Sequence, residues 1–222
     1  MMKLALIGGT GPQGKGLALR WAKAGITVVM GSRQLEKAKA IADELNARLP
    51  SGAPRIEGLA NTDAARAADE FVVLTVPFSG HRSTIESLRE SLAGKILVDV
   101  VVPLDEEDAK KMKMPPEGSA VEEAEAILGD TCHVVGALHN VSAPVLDLVD
   151  TTINCDVLVV GRNLEAREKV IALCERLGAK AYNAGGADSA RTVEGMTAVL
   201  IRLNSSKKTP FKHAGIKIWA EA

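Results

Sequence analysis

The chain has 222 residues, 46% of them hydrophobic, enough to bury a sizeable core in one large domain or in a domain with a small appendage. Its 27 basic and 28 acidic residues leave a formal net charge of -1, and aromatic residues make up 3%. That balance gives no electrostatic basis for a nucleic-acid partner or an acidic membrane surface, and base-stacking platforms lack their side chains.

The N-terminal MMKLALIGGTG passes from one lysine through a short apolar run into glycines, too short for a signal segment or a membrane span. KLALIG (3–8) reads as a buried strand by its unbroken apolar character. The helix after it carries Leu17, Trp21 and Ala24 on one face and stops at Gly25. TVVMG (27–31) is a second strand, followed by a helix with Leu35, Ala38, Ala42 and Leu45 at helical spacing, broken by PSGAP. FVVLTV (71–76), KILVDVVV (95–102) and CHVVGAL (132–138) are further strands. Between them lie helices marked by Ile85, Leu88 and Leu92, then by Val121, Ala124 and Leu128. VLVVG (157–161) is a strand, Val170, Cys174 and Leu177 share a helix face, AKAYNAGG ends in a short strand, and a last helix spans about 187–204. Such alternation implies an α/β, Rossmann-type, doubly wound and mostly parallel sheet with a small C-terminal helical extension. PVLDLVDTTINCD (144–156) has no clean period, which places a soft boundary near 150 between segments 1–150 and 151–222.

Cys132, Cys155 and Cys174 are odd in number, and no two stand at C-x-x-C spacing. Free thiols in a reducing compartment follow, hence a cytoplasmic protein.

LALIGGTGPQGKG (4–16) fits two phosphate loops. Gly9, Gly14 and Lys15 stand at G-x-x-x-x-G-K, but position 16 is Gly where a triphosphate loop needs a hydroxyl for Mg²⁺, and Asp99 is the one candidate second carboxylate. Gly9, Gly11 and Gly14 stand at G-x-G-x-x-G, after a strand and before an amphipathic helix, the context a dinucleotide site requires. The helix start offers free N–H groups and a positive dipole end. A glycine-rich strand-helix turn without a ligand is the competing reading. At the end of the second strand an NAD site carries a carboxylate for the ribose hydroxyl. Here Gly31, Ser32 and Arg33 stand instead, with Lys37 one turn on; Ser32 can donate a hydroxyl and Arg33 can fork onto phosphate oxygens. That favours NADP(H), against the alternative that Arg33 and Lys37 are merely solvated charges.

The chain shows no Tyr-x-x-x-Lys pair, no G-x-S-x-G elbow, and no metal-ligand spacing among His81, His133, His139 and His213. A hydride cofactor with few acid-base groups suggests hydride transfer between two coenzymes, where ring alignment matters most.

The N-terminal LALIGGTGPQGKGLALRWAKAGITVVMGSRQLEKA, with VVLTVPF, KILVDVVVPL, VVGALHNVSA, ARTVEGMT and GIKIW, closely resembles the NADPH-dependent coenzyme F420 reductases. The resemblance implies hydride exchange between NADP(H) and the 5-deazaflavin F420, with reacting carbons roughly 3–3.5 Å apart. It implies that Thr10, Gly11, Pro12 and Gln13 cradle the pyrophosphate, that Ser32, Arg33 and Lys37 hold the 2′-phosphate, and that Val76, Gly80, Val102 and Ala143 line the rest of the dinucleotide. It places His139, Val141, Arg191 and Thr197 near the deazaflavin, with 151–222 completing that site. His139 as a satisfied strand end and Arg191 as a surface charge are the plainer alternatives. Gly195 stands where the family can carry a hydroxyl. The apolar last helix suggests a homodimer. Rival functions are NADPH-dependent reduction of a flavin, ferric chelate or imine, and non-catalytic NADPH sensing.

Overall fold

The computed structural model describes residues 2–221. Eight strands form one sheet in the order β3-β2-β1-β4-β5-β6-β7-β8. They are β1 (Lys3–Ile7), β2 (Thr27–Ser32), β3 (Glu57–Ala60), β4 (Phe71–Leu74), β5 (Ile96–Asp99), β6 (His133–Gly136), β7 (Val157–Gly161) and β8 (Ala181–Gly185). All pairings are parallel except β6 with β7. The helices are α1 (Pro12–Lys23), α2 (Leu35–Asn46), α3 (Asn61–Ala67), α4 (His81–Leu88), α5 (Ala120–Leu128), α6 (Ala143–Asp147), α7 (Leu164–Glu175) and α8 (Ala190–Ser205).

Alternate residues of β1 supply the two layers of core. Leu4 and Leu6 pack with Leu17 and Trp21 of α1 and Val170 of α7, while Ala5 and Ile7 pack with Ala64 of α3, Ile85 of α4 and Ala124 of α5. Helices therefore cover both faces, as the strand-helix alternation implied. The segment 151–222 extends the same sheet with β7 and β8 and then crosses back as α8.

Sequence periodicity overlooks β3 and α3. β3 has four residues with a mixed burial pattern, and α3 buries only Ala64 and Ala65, so neither shows a strong apolar rhythm. β4 and β5 end at Leu74 and Asp99, earlier than their apolar runs. The remaining valines, Val76 and Val100–Val102, turn out of the sheet to wall a cavity. The irregular 144–156 stretch is held by Arg20 of α1, whose buried guanidinium donates to the carbonyls of Val145, Leu146, Leu148 and Thr151 at 2.7–3.0 Å. Strand order reverses between β1 and β4, and the crevice beyond their carboxyl ends is where such sheets bind ligands.

Candidate functional site

Gly8 (φ +70°) turns the chain out of β1, and a Cβ there would lie 2.5 Å from Val76 Cγ1. Helix α1 starts at Pro12, and Lys15 is the first residue whose N–H enters the helical ladder, donating to Gly11 O at 2.9 Å. The amides of Gln13 and Gly14 precede that bond at the positive end of the helix. A Cβ on Gly14 would sit 2.4 Å from Gly9 O, whereas one on Gly11 would meet nothing within 4 Å. Gly14 thus closes loop on helix, and Gly11 leaves an open approach. Lys15, the lysine of the discarded triphosphate reading, is paired with Glu44 of α2 at 3.0 Å.

This loop forms one wall of a cleft of about 830 Å³. Thr10, Gly11, Pro12 and Gln13 line it together with Ser32, Arg33 and Lys37 from the end of β2, and Val76 and Gly80 beyond β4. Ser32 is nearly buried and its Oγ accepts from Gln34 N at 3.1 Å, holding the turn that exposes Arg33. Neither Arg33 nor Lys37 joins an ion pair among the described residues. Sequence reasoning missed Asn61, whose Oδ1 accepts from Gly8 N at 3.4 Å, and the hydroxyls of Ser83, Thr84 and Ser87 on α4. Asn61 opens the helix that lacked a periodic signal, and the α4 hydroxyls become meaningful only once α4 is placed against the loop.

Gln13, Thr75, Val76 and Pro77 also wall a second cavity of about 340 Å³, so the two spaces are contiguous. Its lining includes Val102, Val141, His139 and Thr197, and no charged residue is among its walls. Gln13 Nε2 donates to Val141 O at 3.3 Å, and Thr197 Oγ1 donates to His139 O at 2.8 Å. Burial pushes the His139 pKa down to about 4, against the pull of the Asp99 carboxylate and of the Asp99 backbone, and neither buried ring nitrogen makes a close, well-aligned hydrogen bond. His139 is therefore a neutral imidazole that borders the cavity while its two ring nitrogens stay buried in the protein. Gly9 and Gly14 act through backbone packing rather than in either lining. Ala143 begins α6 just past Ser142, and Arg191 lies apart from both cavities, forked onto Glu122 at 2.7 and 2.8 Å.

The residues fit a bound dinucleotide with a planar partner: a loop closed by Gly8 and Gly14, a helix start, two cations without an ion pair at the far end, and an adjoining cavity without a charged wall. A family model described as NADP oxidoreductase, coenzyme F420-dependent, matches residues 3–103. The F420-dependent NADP reductase of Methanothermobacter thermautotrophicus is 40% identical over 223 residues, covering 98% of this chain and 95% of that protein. This chain belongs to the F420-dependent NADP reductase family. The F420-dependent NADP reductase of Methanocaldococcus jannaschii is 39% identical, with 98% of both chains covered. Among solved structures, a protein of Arthrobacter sp. FB24 described as a candidate F420-dependent NADP-reductase is 29% identical, covers 99% of this chain and 100% of its own, and superposes with a TM-score of 0.79. Among the described residues, no helix is long and apolar enough to cross a membrane, and no cluster of His, Cys, Asp or Glu could hold a metal.

Proposed function

We infer that the chain performs the reaction its family is named for, transfer of a hydride between NADP(H) and coenzyme F420. The observation that carries this reading is the junction at Gln13 and Thr75–Pro77, where the cleft of the glycine loop opens into a cavity with no charged wall. When bound, the nicotinamide and the deazaflavin would exchange the hydride between them, in either direction. The chain supplies placement and dryness. The Thr10–Gln13 backbone and the start of α1 hold the pyrophosphate. Ser32, Arg33 and Lys37 hold the 2′-phosphate by charge-assisted hydrogen bonds. Val76, Gly80 and Val102 line the nicotinamide side, with Ala143 at its edge. His139, Val141 and Thr197 face the deazaflavin, and the uncharged walls exclude water from the transfer. Arg191 is left for the acidic tail of the acceptor, which it reaches by leaving Glu122. In this reading 1–150 carries the NADP(H) site, and 151–222 completes the acceptor side through α8.

The deciding experiment mixes the protein with NADPH and oxidised F420 and follows the visible absorption of the deazaflavin. Bleaching is the expected result. Reduction of a flavin, ferric chelate or imine without bleaching would move the assignment to another acceptor. NADPH binding with no turnover of any acceptor would make the chain a sensing module. We place the protein in a reducing cytoplasm on its free, buried Cys132, Cys155 and Cys174. We further propose a homodimer, supported by Val199 and Leu203 standing out from α8 beside a tail that exposes Trp219. Val199→Asp should convert the dimer to a monomer by light scattering.

A further inference from the structure

The acceptor cavity has two apolar walls, Val76–Phe78 after β4 and Val100–Val102 after β5, and one side chain joins their supports. His81 is the first residue of α4, directly after the turn Phe78–Gly80, and it is wholly buried. Its Nε2 lies 2.7 Å from Asp99 Oδ2, and its Nδ1 lies 2.6 Å from Glu123 Oε2. A neutral imidazole has one N–H and could serve only one ionised carboxylate; two such contacts need a donor on each nitrogen. The remaining oxygens are also engaged. Asp99 Oδ1 accepts from Val101 N at 3.0 Å, and Glu123 Oε1 accepts from Arg82 at 2.9 Å. Phe78, a residue of the cavity wall, lies against the His81 ring with centroids 5.8 Å apart.

We propose that His81, as an imidazolium bonded to Asp99 and Glu123, is a positioning residue that fixes the separation of the two cavity walls and so aligns donor and acceptor for hydride transfer. The proposal rests on the hydride-transfer reading above. It acts through Pro77 and Phe78 on one side and through Val101 on the other, with no contact to either coenzyme. The amides and cations assigned to the phosphates lie on α1 and at the end of β2, while α4 lends the cleft only the hydroxyls of Ser83, Thr84 and Ser87. Loss of the clamp therefore lowers the transfer rate far more than NADPH affinity.

The charged groups around His81 are Asp99 from β5, Glu123 from α5, Arg82 from α4 and Glu194 from α8. Burial opposes the charge on His81, but attraction to Asp99 and the bonds to both carboxylates outweigh it and lift its pKa to about 9. Burial raises Glu194 to about 8 against two backbone N–H bonds from Ala120 and Val121, and nearby Asp99 adds to the rise. Glu194 thus adds less negative charge beside Asp99 than an exposed carboxylate would, and Arg82 is shared with Glu117 at 2.7 Å.

The test uses the intact protein in two readouts. In the unliganded protein, ¹⁵N NMR should show one histidine with both ring nitrogens protonated at pH 7 and titrating near pH 9, absent from His81→Asn. In single-turnover mixing of NADPH with F420, His81→Asn should transfer hydride roughly ten- to a hundred-fold more slowly, as expected for a misplacement of about 1 Å, with NADPH affinity within about threefold. Glu123→Gln, which keeps a hydrogen-bond acceptor, should fold if His81→Asn does not, and should move the alkaline fall in transfer rate about one pH unit toward neutrality. A neutral imidazole at pH 7, wild-type transfer in His81→Asn, or an unmoved alkaline limb in Glu123→Gln would overturn the proposal. A wild-type protein that shows the imidazolium by NMR but leaves F420 unreduced would instead sink the reading of the acceptor.

Discussion

Substituting Gly14 by Ala tests the phosphate loop at its tightest point. The new Cβ would lie 2.4 Å from Gly9 O and 2.5 Å from Gly9 Cα, and both neighbours are backbone. Reaching an ordinary contact requires the loop and α1 to part by about 1 Å. Overpacking of this kind costs about 1–3 kcal/mol. At about 2–4 °C per kcal/mol for a chain of this size, the melting temperature should fall by roughly 2–12 °C. The same shift moves the Thr10–Gln13 amides, so NADPH affinity should fall with it. Gly11→Ala is the matched control, because its Cβ meets no protein atom within 4 Å and faces the cleft. It should leave the melting temperature unchanged and weaken NADPH alone. Differential scanning fluorimetry with NADPH titration checks both variants. If Gly14→Ala melts and binds like the wild type, the contact between loop and helix is not the one described, and the argument for a phosphate seat fails with it.

Arg33→Ala should weaken NADP(H) roughly tenfold to a hundredfold, the worth of about one hydrogen bond to a charged group, and leave NAD(H) nearly unchanged; equal losses in calorimetric titrations would remove Arg33 from the 2′-phosphate. Gly195 lies inside α8, and a Cβ there would meet nothing within 4 Å, so Gly195→Ala should stabilise the protein by about 0.8–1.0 kcal/mol in urea unfolding. A loss of stability would mean that the site is more crowded than described. His139 has a folded pKa of about 4, below the ordinary 6.5, so the unfolded chain binds a proton first as pH falls. Its contribution should therefore make stability drop between pH 6.5 and pH 4, and His139→Gln should flatten that drop in urea midpoints; an unchanged slope would show that the ring is not held neutral.

The sequence made local chemistry legible. The glycine loop with its helix, and Ser32-Arg33 with Lys37, depend on neighbours within one strand-turn-helix unit, and the cleft brings them together. The groups it did not reveal meet only through topology. His81 finds Asp99 across 18 residues and Glu123 across 42, so Asp99, which as a sequence offered only a candidate second carboxylate for the triphosphate loop, is committed to a histidine. Arg20 reaches over more than a hundred residues to the carbonyls that order the 144–156 stretch, an arrangement without periodicity because its bonds go to backbone. β3 and α3 were silent for the opposite reason: they are short, and alanine carries little hydrophobic contrast.

The single antiparallel pairing, β7 on β6, decides which way the end of the chain travels. β8 follows β7 in direction, so it finishes at the edge of the sheet remote from the crevice, and α8 must run homeward to deliver Thr197, Leu200 and Ile201 to the cavity. Had that strand kept the common direction, the same helix would have departed from the crevice. One reversal thus turns the last third of the chain into a returning arm that reaches the cavity from the far side of the sheet.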